Sequence, residues 1–471
     1  MKTFKSIDCN GQVLVTVALV MIVLVAVVGL AIDSGRAYGV KAKLNAAVDA
    51  ASIAATKALS YGEDEARQTA ERYFYVNYPD GYLSSSPEFD PNNIEITVSS
   101  DGNVVVAVPG RADMPTTFMR ILGYETLRVN ARAQVTRKAV DIAFVVDNTT
   151  SLMSPTDVRA QVKTASKYFV SKFIPAYDRL GLIKYAFGAE VPEEIRGKSS
   201  NDRGFNDSSI NTEIDNFEFT GPGGSSNYTN SSEGFWCGLN ELREIPPENR
   251  SNLRVIVFFT DGAPNTFAST FNFQGIDPHT GSIRSGDGST GTPAGLWEPN
   301  FINQSNPPYD YGTSIYNQLQ AANAFPQYYN AHGDDGDNFP ILNPSHPSRP
   351  VTQYNPSGTP AENRQQLYTK VNRVARNLLE DIAAKARQEG IYVFTLGLGS
   401  RLTMGTGPPM EDEEQERGED LLVRMANLDD ADGTGITGEY CYAGAETQEQ
   451  AEENLFNCYD RLNSAILRLT M

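Results

Sequence analysis

Residues 13–32 read VLVTVALVMIVLVAVVGLAI, a run without charge whose only hydroxyl is Thr16. About 20 consecutive apolar residues suffice to cross a bilayer as a helix, so the run predicts a membrane span. A cleaved signal peptide is the competing reading. Lys2 and Lys5 would form its basic amino end, and Gly29 and Ala31 would supply small residues for a cleavage site. The run is longer than a usual signal core, which favours an uncleaved anchor. Lys2 and Lys5 precede the span while Arg36, Lys41 and Lys43 follow it, so the distribution of positive charge leaves the orientation open. The expected layout is a tail at 1–12, the span at 13–32, and everything after Asp33 on one side of the membrane.

The chain has 471 residues, more than one typical core uses, so several domains are expected. It carries 58 Asp and Glu against 39 Lys and Arg, a formal net charge of -19. Nucleic-acid binding needs clustered cations to neutralise phosphates, and this balance argues against it. The four cysteines (Cys9, Cys237, Cys441, Cys458) form no CxxC pair, and His279, His332 and His346 are scattered. Zinc spacing is therefore missing. Neither a GxxxxGK phosphate loop nor a GxSxG elbow occurs.

After the span, Ala46, Ala47, Ala50, Ala51, Ala54 and Ala55 recur at helical spacing, so residues 33–60 read as a continuing juxtamembrane helix. Gly11-Gln12 before the span, LAIDSGRAY at its end and AAVDAASIAATKAL beyond it resemble the amino-terminal segment of TadG-like Flp pilus-assembly proteins. The resemblance implies an anchor in the bacterial inner membrane, a cytoplasmic amino end and a periplasmic body. Prepilins carry a Glu five residues after the cleavage glycine; the residue five after Gly11 is Thr16. That departure implies an assembly or anchoring component rather than a pilin subunit. In such a topology Cys9 faces a reducing compartment. The other three face an oxidising one, where Cys441–Cys458 is the preferred disulfide and Cys237 is left over.

Residues 61–138 predict a small α/β stalk domain. Residues 63–76 are helix-like, and 94–98, 104–108 and 127–135 alternate as strands do, with Asp101-Gly102 as a hairpin turn. From 139 to 471 apolar strands alternate with helices. The strands are 141–146 (DIAFVV), 180–187, 253–260 (LRVIVFFT) and 391–398 (IYVFTLGL); the helices are 158–174, 231–243, 361–388 and 448–467. Such alternation predicts a doubly wound, mostly parallel sheet. An insertion at about 266–360 is rich in Gly, Asn, Pro and aromatics and reads as a long loop. Its tyrosines (Tyr309, Tyr311, Tyr316, Tyr328, Tyr329) could form a contact surface or staple the loop to itself. The acidic run 411–420 (EDEEQERGED) reads as an exposed loop.

The first core strand runs into Asp147-Asn148-Thr149-Thr150-Ser151, and LRVIVFFT runs into Asp261-Gly262. Together these features resemble the metal-ion-dependent adhesion site (MIDAS) of von Willebrand factor type A domains, with Thr149 standing where the first Ser of Asp-x-Ser-x-Ser falls. A third loop of that family supplies a Thr at a helix start. Thr229-Asn230 fits best because a helix follows; Ser226-Asn227 is the rival register. In open α/β sheets ligands bind beyond the carboxyl ends of strands where the strand order reverses, and Asp147 and Asp261 end the strands that would be first and fourth. Two carboxylates plus neutral hydroxyls suit Mg²⁺, which keeps several waters; Mn²⁺ and Ca²⁺ are the alternatives. Metal ligands are then expected at Asp147, Thr149, Ser151, Thr229 and Asp261. The resemblance implies a non-enzymatic role in building or anchoring Flp pili by binding protein partners, among them other assembly components. A surface adhesin using the same site for an external matrix or host ligand is the rival.

Overall fold

The structure is a computed structural model that describes residues 10–99, 102–198, 202–219, 229–273, 278–286, 293–302, 312–321, 323–333, 338–346, 349–403 and 416–470. Cys9, Asp101, Ser226, Tyr309, Tyr311 and residues 411–415 lie outside them. The chain divides into two compact units, Met1–Arg137 and Lys138–Met471.

The first unit holds α1 (Asn10–Ala58), α2 (Glu63–Asn77), β1 (Ser86–Glu88), β2 (Glu95–Val98), β3 (Val104–Pro115) and β4 (Thr126–Arg137). Along 13–32, α1 exposes its large apolar side chains on every side, as a helix surrounded by hydrocarbon would. By length and composition this part of the helix can cross a membrane. Without interruption the same helix then turns amphipathic: Val40, Leu44, Ala47, Val48, Ala51, Ala55 and Ala58 are buried against α2, β3 and β4. The small alanines allow that close packing. β3 is the centre of an antiparallel sheet, pairing with β1 and β2 along one edge and β4 along the other. Gly110 of β3 permits a close approach to the two helices, since a Cβ there would lie 2.8 Å from Val48 and 2.9 Å from Phe74.

The second unit contains β5 (Val140–Asp147), α3 (Arg159–Val170), β6 (Arg179–Tyr185), β7 (Ala189–Glu193), α4 (Asp207–Asp215), α5 (Ser231–Arg243) and β8 (Leu253–Thr260). It continues with β9 (Thr266–Phe271), β10 (His279–Arg284), β11 (Ala294–Trp297), α6 (Gly312–Leu319), α7 (Pro360–Gln388), β12 (Ile391–Leu398), α8 (Gly418–Ala426), β13 (Tyr440–Ala443) and α9 (Gln448–Thr470). Six strands form one sheet in the order β13-β12-β8-β5-β6-β7. All its pairs are parallel except β6 with the edge strand β7. Sheet order therefore runs outward in both directions from β5, and β5 and β8 flank the reversal.

Both sheet faces are covered, which is why the core strands read as continuous apolar runs. Val140, Ile142, Phe144 and Val146 of β5 meet Val162 and Phe169 of α3 and Leu455, Tyr459 and Leu462 of α9. On the other face Ala143 and Val145 meet Phe235, Leu239 and Leu242 of α5, with Val374, Leu378 and Ile382 of α7 in the same cluster.

Residues 266–360 carry more order than their composition implied. β11, β10 and β9 form an antiparallel three-stranded sheet, and Phe267, Phe271, Ile283 and Leu296 join the core on the α5 side. The turn-forming residues between these short strands hide their periodicity in sequence. Tyr316 and Tyr329 are buried staples while Tyr328 is exposed; Tyr329 donates to Glu233 of α5 at 2.8 Å. The acidic run also needs correction within its described part. Glu416 is buried, accepts from Arg349 at 3.1 Å and Arg376 at 3.0 Å, and α8 starts two residues later.

Cys441 of β13 and Cys458 of α9 form a disulfide across a sequence separation of 17. A loop near this size contributes about 3 kcal/mol in the chain-entropy view, so reduction should lower the melting temperature. Burial and the nearby charges of Glu233 and Glu241 push the Cys237 thiol well above its ordinary pKa. Thiol titration of the denatured, unreduced chain should find Cys9 and Cys237 reactive and Cys441 and Cys458 blocked. Reaction of all four would show the bridge absent.

Candidate metal centre

Asp147 is the last residue of β5, and Asp261 follows the last residue of β8. Because the two strands are parallel neighbours, both carboxyl groups emerge at the same end of the sheet. Beyond β5 the chain turns through a short 3₁₀ segment, Thr150–Met153. Thr149 N–H donates to Asp147 Oδ1 at 2.9 Å, an arrangement that folds the loop back over its own strand end. Thr149 Oγ1 and Ser151 Oγ then lie 2.6 Å apart, and Ser151 Oγ donates to Asp261 Oδ1 at 2.6 Å. Asp147, Thr149, Ser151 and Asp261 thus form one connected oxygen-rich cluster, and all four are buried.

Thr229 comes from a third direction. Its N–H donates to Asn265 Oδ1 at 2.9 Å, and Asn265 N–H donates back to Thr229 O at 3.1 Å. Its Oγ1 lies 4.0 Å from where a Cβ would stand on Gly262, so it borders the Asp261 loop. The following Asn230 is the N-cap of α5, its side chain accepting from Glu233 N–H. Asn230 Nδ2 also donates to Phe187 O at 3.0 Å, tying the helix start to the connection that follows β6.

Two further residues belong to the site and were not picked out from sequence. Thr260 Oγ1 donates to Asp147 Oδ2 at 2.7 Å. Tyr185, at the end of β6, directs its hydroxyl to Phe259 O at 3.2 Å and to Asp147 Oδ2 at 3.4 Å. Gly234 makes room for that ring, since a Cβ there would sit 2.6 Å from it. Thr260 adjoins Asp261, which was the one available signal; Tyr185 had none.

Burial raises the pKa of Asp147. Burial, together with the charge of Asp147, pushes Asp261 up to about 8, against the opposing pull of Arg401. The partners of the pair at hydrogen-bond distance are hydroxyls and backbone N–H groups, which cannot neutralise two negative charges. Desolvated carboxylates without a cation are costly, and a hard divalent ion bound through oxygens is one remedy. The donor set fits such an ion. Among the described residues no group of three or more His, Cys, Asp or Glu is placed to hold a metal ion, so hydroxyls would have to complete the donor set beside the two carboxylates.

Strand order, the position of the two Asp residues at the reversal, and the covering helices define a von Willebrand factor type A domain, and the profile of that family matches residues 141–283. A second profile, Tad, the Flp pilus-assembly TadE/G-like family, matches residues 11–60. The chain thus joins a Tad segment to a von Willebrand A domain. A comparison with curated proteins found no match.

Solved structures similar to the chain include the pilus adhesin SpaC from Lactobacillus rhamnosus GG. That match has 15% identity and a TM-score of 0.37, and it covers 82% of this chain and 36% of that one. The vWF domain of the type V pili tip protein Mfa5 from Porphyromonas gingivalis matches with 13% identity and a TM-score of 0.37, over 72% of this chain and 98% of that one. Proximal thread matrix protein 1 from the mussel byssus, with a zinc-occupied MIDAS motif, matches with 11% identity and a TM-score of 0.31, over 71% and 46%. The chain therefore spans little more than a third of the length of the first of these.

Proposed function

We propose that the chain is a single-pass inner-membrane component that builds or anchors Flp pili, with residues 33–471 in the periplasm. Its second unit holds a divalent cation, Mg²⁺ before Mn²⁺ or Ca²⁺, through Asp147, Thr149, Ser151 and Asp261 with Thr229. A bound cation supplies an open coordination position for a carboxylate of a protein partner. This is a binding role rather than catalysis. One observation carries the reading: two buried carboxylates at the sheet's topological reversal, linked by hydroxyls and bonded, among the described residues, only to hydroxyls and backbone N–H groups. The Tad match over residues 11–60 favours pilus assembly over an adhesin for an external ligand.

Deleting the gene should abolish or strongly reduce pili, and the wild-type copy should restore them. An Asp147→Ala copy present at equal protein level should not. Normal pili in the deletion strain would remove the assembly role. Full rescue by Asp147→Ala would remove the metal site from it.

A further inference from the structure

The turn between β3 and β4 is built unlike a water-exposed loop. Ile121, Leu122 and Tyr124 are 79%, 64% and 61% exposed. Ile121 and Leu122, with Phe118 and Met119, line a groove of roughly 350 Å³ whose other wall is Met21, Ile22, Val25, Ala26 and Leu30 of α1. Phe118 packs directly on the helix, for a Cβ on Gly29 would fall 2.4 Å from Phe118 Cβ.

Seven backbone N–H groups of this turn are paired, with Asp33 of α1 or with carbonyls of the turn itself. Asp33 accepts the N–H groups of Thr117, Phe118 and Met119 at 2.9, 2.8 and 2.8 Å. Thr116 N–H donates to Glu125 O, Ile121 N–H to Phe118 O, Gly123 N–H to Arg120 O and Tyr124 N–H to Met119 O. Arg36 clasps the base, donating to Thr117 Oγ1 at 2.7 Å, Leu83 O at 2.9 Å and Pro115 O at 3.3 Å. Backbone groups need such pairing in hydrocarbon, where water cannot serve them; in water they would not.

Depth points the same way. Met21 lies twelve residues before Asp33, about 18 Å along a helix, which is roughly half of a hydrocarbon core about 30 Å thick. Arg120 and Tyr124, a long cation and an amphipathic ring, are side-chain types that reach back to the interface.

We propose that the 116–125 turn is a second membrane element. It enters the leaflet next to the first unit beside α1, and lipid acyl chains cover Ile121 and Leu122 and fill the groove. This rests on reading 13–32 as a membrane span, and the test separates the two.

The full chain, with Cys9→Ser and Cys237→Ala, is reconstituted into phosphatidylcholine and phosphatidylglycerol vesicles. An environment-sensitive fluorophore is attached in turn at Leu122→Cys, Val20→Cys and Val98→Cys, the last on exposed β2. Phospholipids brominated on their acyl chains should quench the labels at 122 and 20 and spare the one at 98, with blue-shifted emission at both quenched positions. Quenching at 20 without quenching at 122 would overturn the proposal and leave the anchor standing, with solvent or a protein covering the turn. Quenching at neither position would overturn both.

Discussion

Adding Mg²⁺ to the metal-stripped, detergent-solubilised chain should raise its melting temperature, and Asp147→Asn should abolish the rise. The cause is the carboxylate pair. Asp147 and Asp261 both have pKa values raised by burial, Asp261 to about 8. In the unfolded chain each carboxyl returns to an ordinary value near 4. Between those values the folded state holds more protons than the unfolded one, so stability falls as pH rises through the window. For Asp261 that stability is fully present below about pH 4 and is lost as the pH rises to about 8, where its folded-state carboxyl ionises; Asp147 acts in the same direction. A divalent ion competes with those protons, so its stabilising effect should grow across the same interval. At an ion concentration 100-fold above the dissociation constant the gain is about 2.7 kcal/mol.

Asp147→Asn keeps an acceptor oxygen for Thr149 N–H and places its amide nitrogen toward Thr260 Oγ1, whose hydroxyl still has Gly262 O as an acceptor, while removing one negative charge. Without metal, near the upper end of the window, this variant should therefore be no less stable than the wild type, an unusual sign for a buried substitution. Melting curves with EDTA and with Mg²⁺, at several pH values, test each part. An equal Mg²⁺ shift in the Asn variant, or no shift in the wild type at any pH, would remove the site.

The strands that carry this site were legible because they are buried on both faces. DIAFVV, LRVIVFFT and IYVFTLGL needed no periodicity, and their parallel arrangement followed from strand–helix alternation, while the place of β5 and β8 at the reversal followed from the von Willebrand A resemblance. Asp147 and Asp261 were legible because each directly follows such a run. Thr260 and Tyr185 were not. Their contacts with Asp147 span 113 and 38 positions, and a hydroxyl at a strand end looks alike whether it meets a carboxylate or water. Glu416 failed for the same reason, since its acidic neighbours suggested solvent while Arg349 and Arg376 approach from other segments. Short elements were lost as well. β7 is an edge strand of five residues, four of them half-buried, which blurs its alternation, and the strands β9 to β11 are separated in sequence by residues rich in Gly, Ser and Asp. In the first unit the alanine spacing of α1 was visible, but not which surface it would cover.

Asp141, at the opposite end of β5 from Asp147, should be the more damaging residue to remove. It is fully buried and accepts from Ser251 N–H and Oγ, both at 2.7 Å, and from Arg179 Nη1 at 3.2 Å. Arg203 reaches it at 3.5 Å. Arg179 is itself fully buried, and it also donates to two neutral carbonyls, Asn249 O at 2.8 Å and Asp202 O at 3.1 Å. Asp141→Ala would leave that guanidinium charged, desolvated and without a counter-ion. Breaking one side of a buried pair costs about 3–5 kcal/mol, a fall in melting temperature of roughly 10 °C for a domain of this size. Replacing both partners, Asp141→Leu with Arg179→Met, should recover most of the loss, because a buried pair is often worth little more than apolar residues of similar volume. Six residues of strand, about 20 Å, separate Asp141 from Asp147, and effects at that distance add independently. The Mg²⁺ shift should consequently persist at its wild-type size in Asp141→Ala, on a lower baseline. The two Asp variants of one strand would then move apart: one loses stability and keeps the metal response, the other keeps stability and loses it. If Asp141→Ala lost both, the Mg²⁺ shift would be reporting the integrity of the sheet rather than ligation by Asp147 and Asp261.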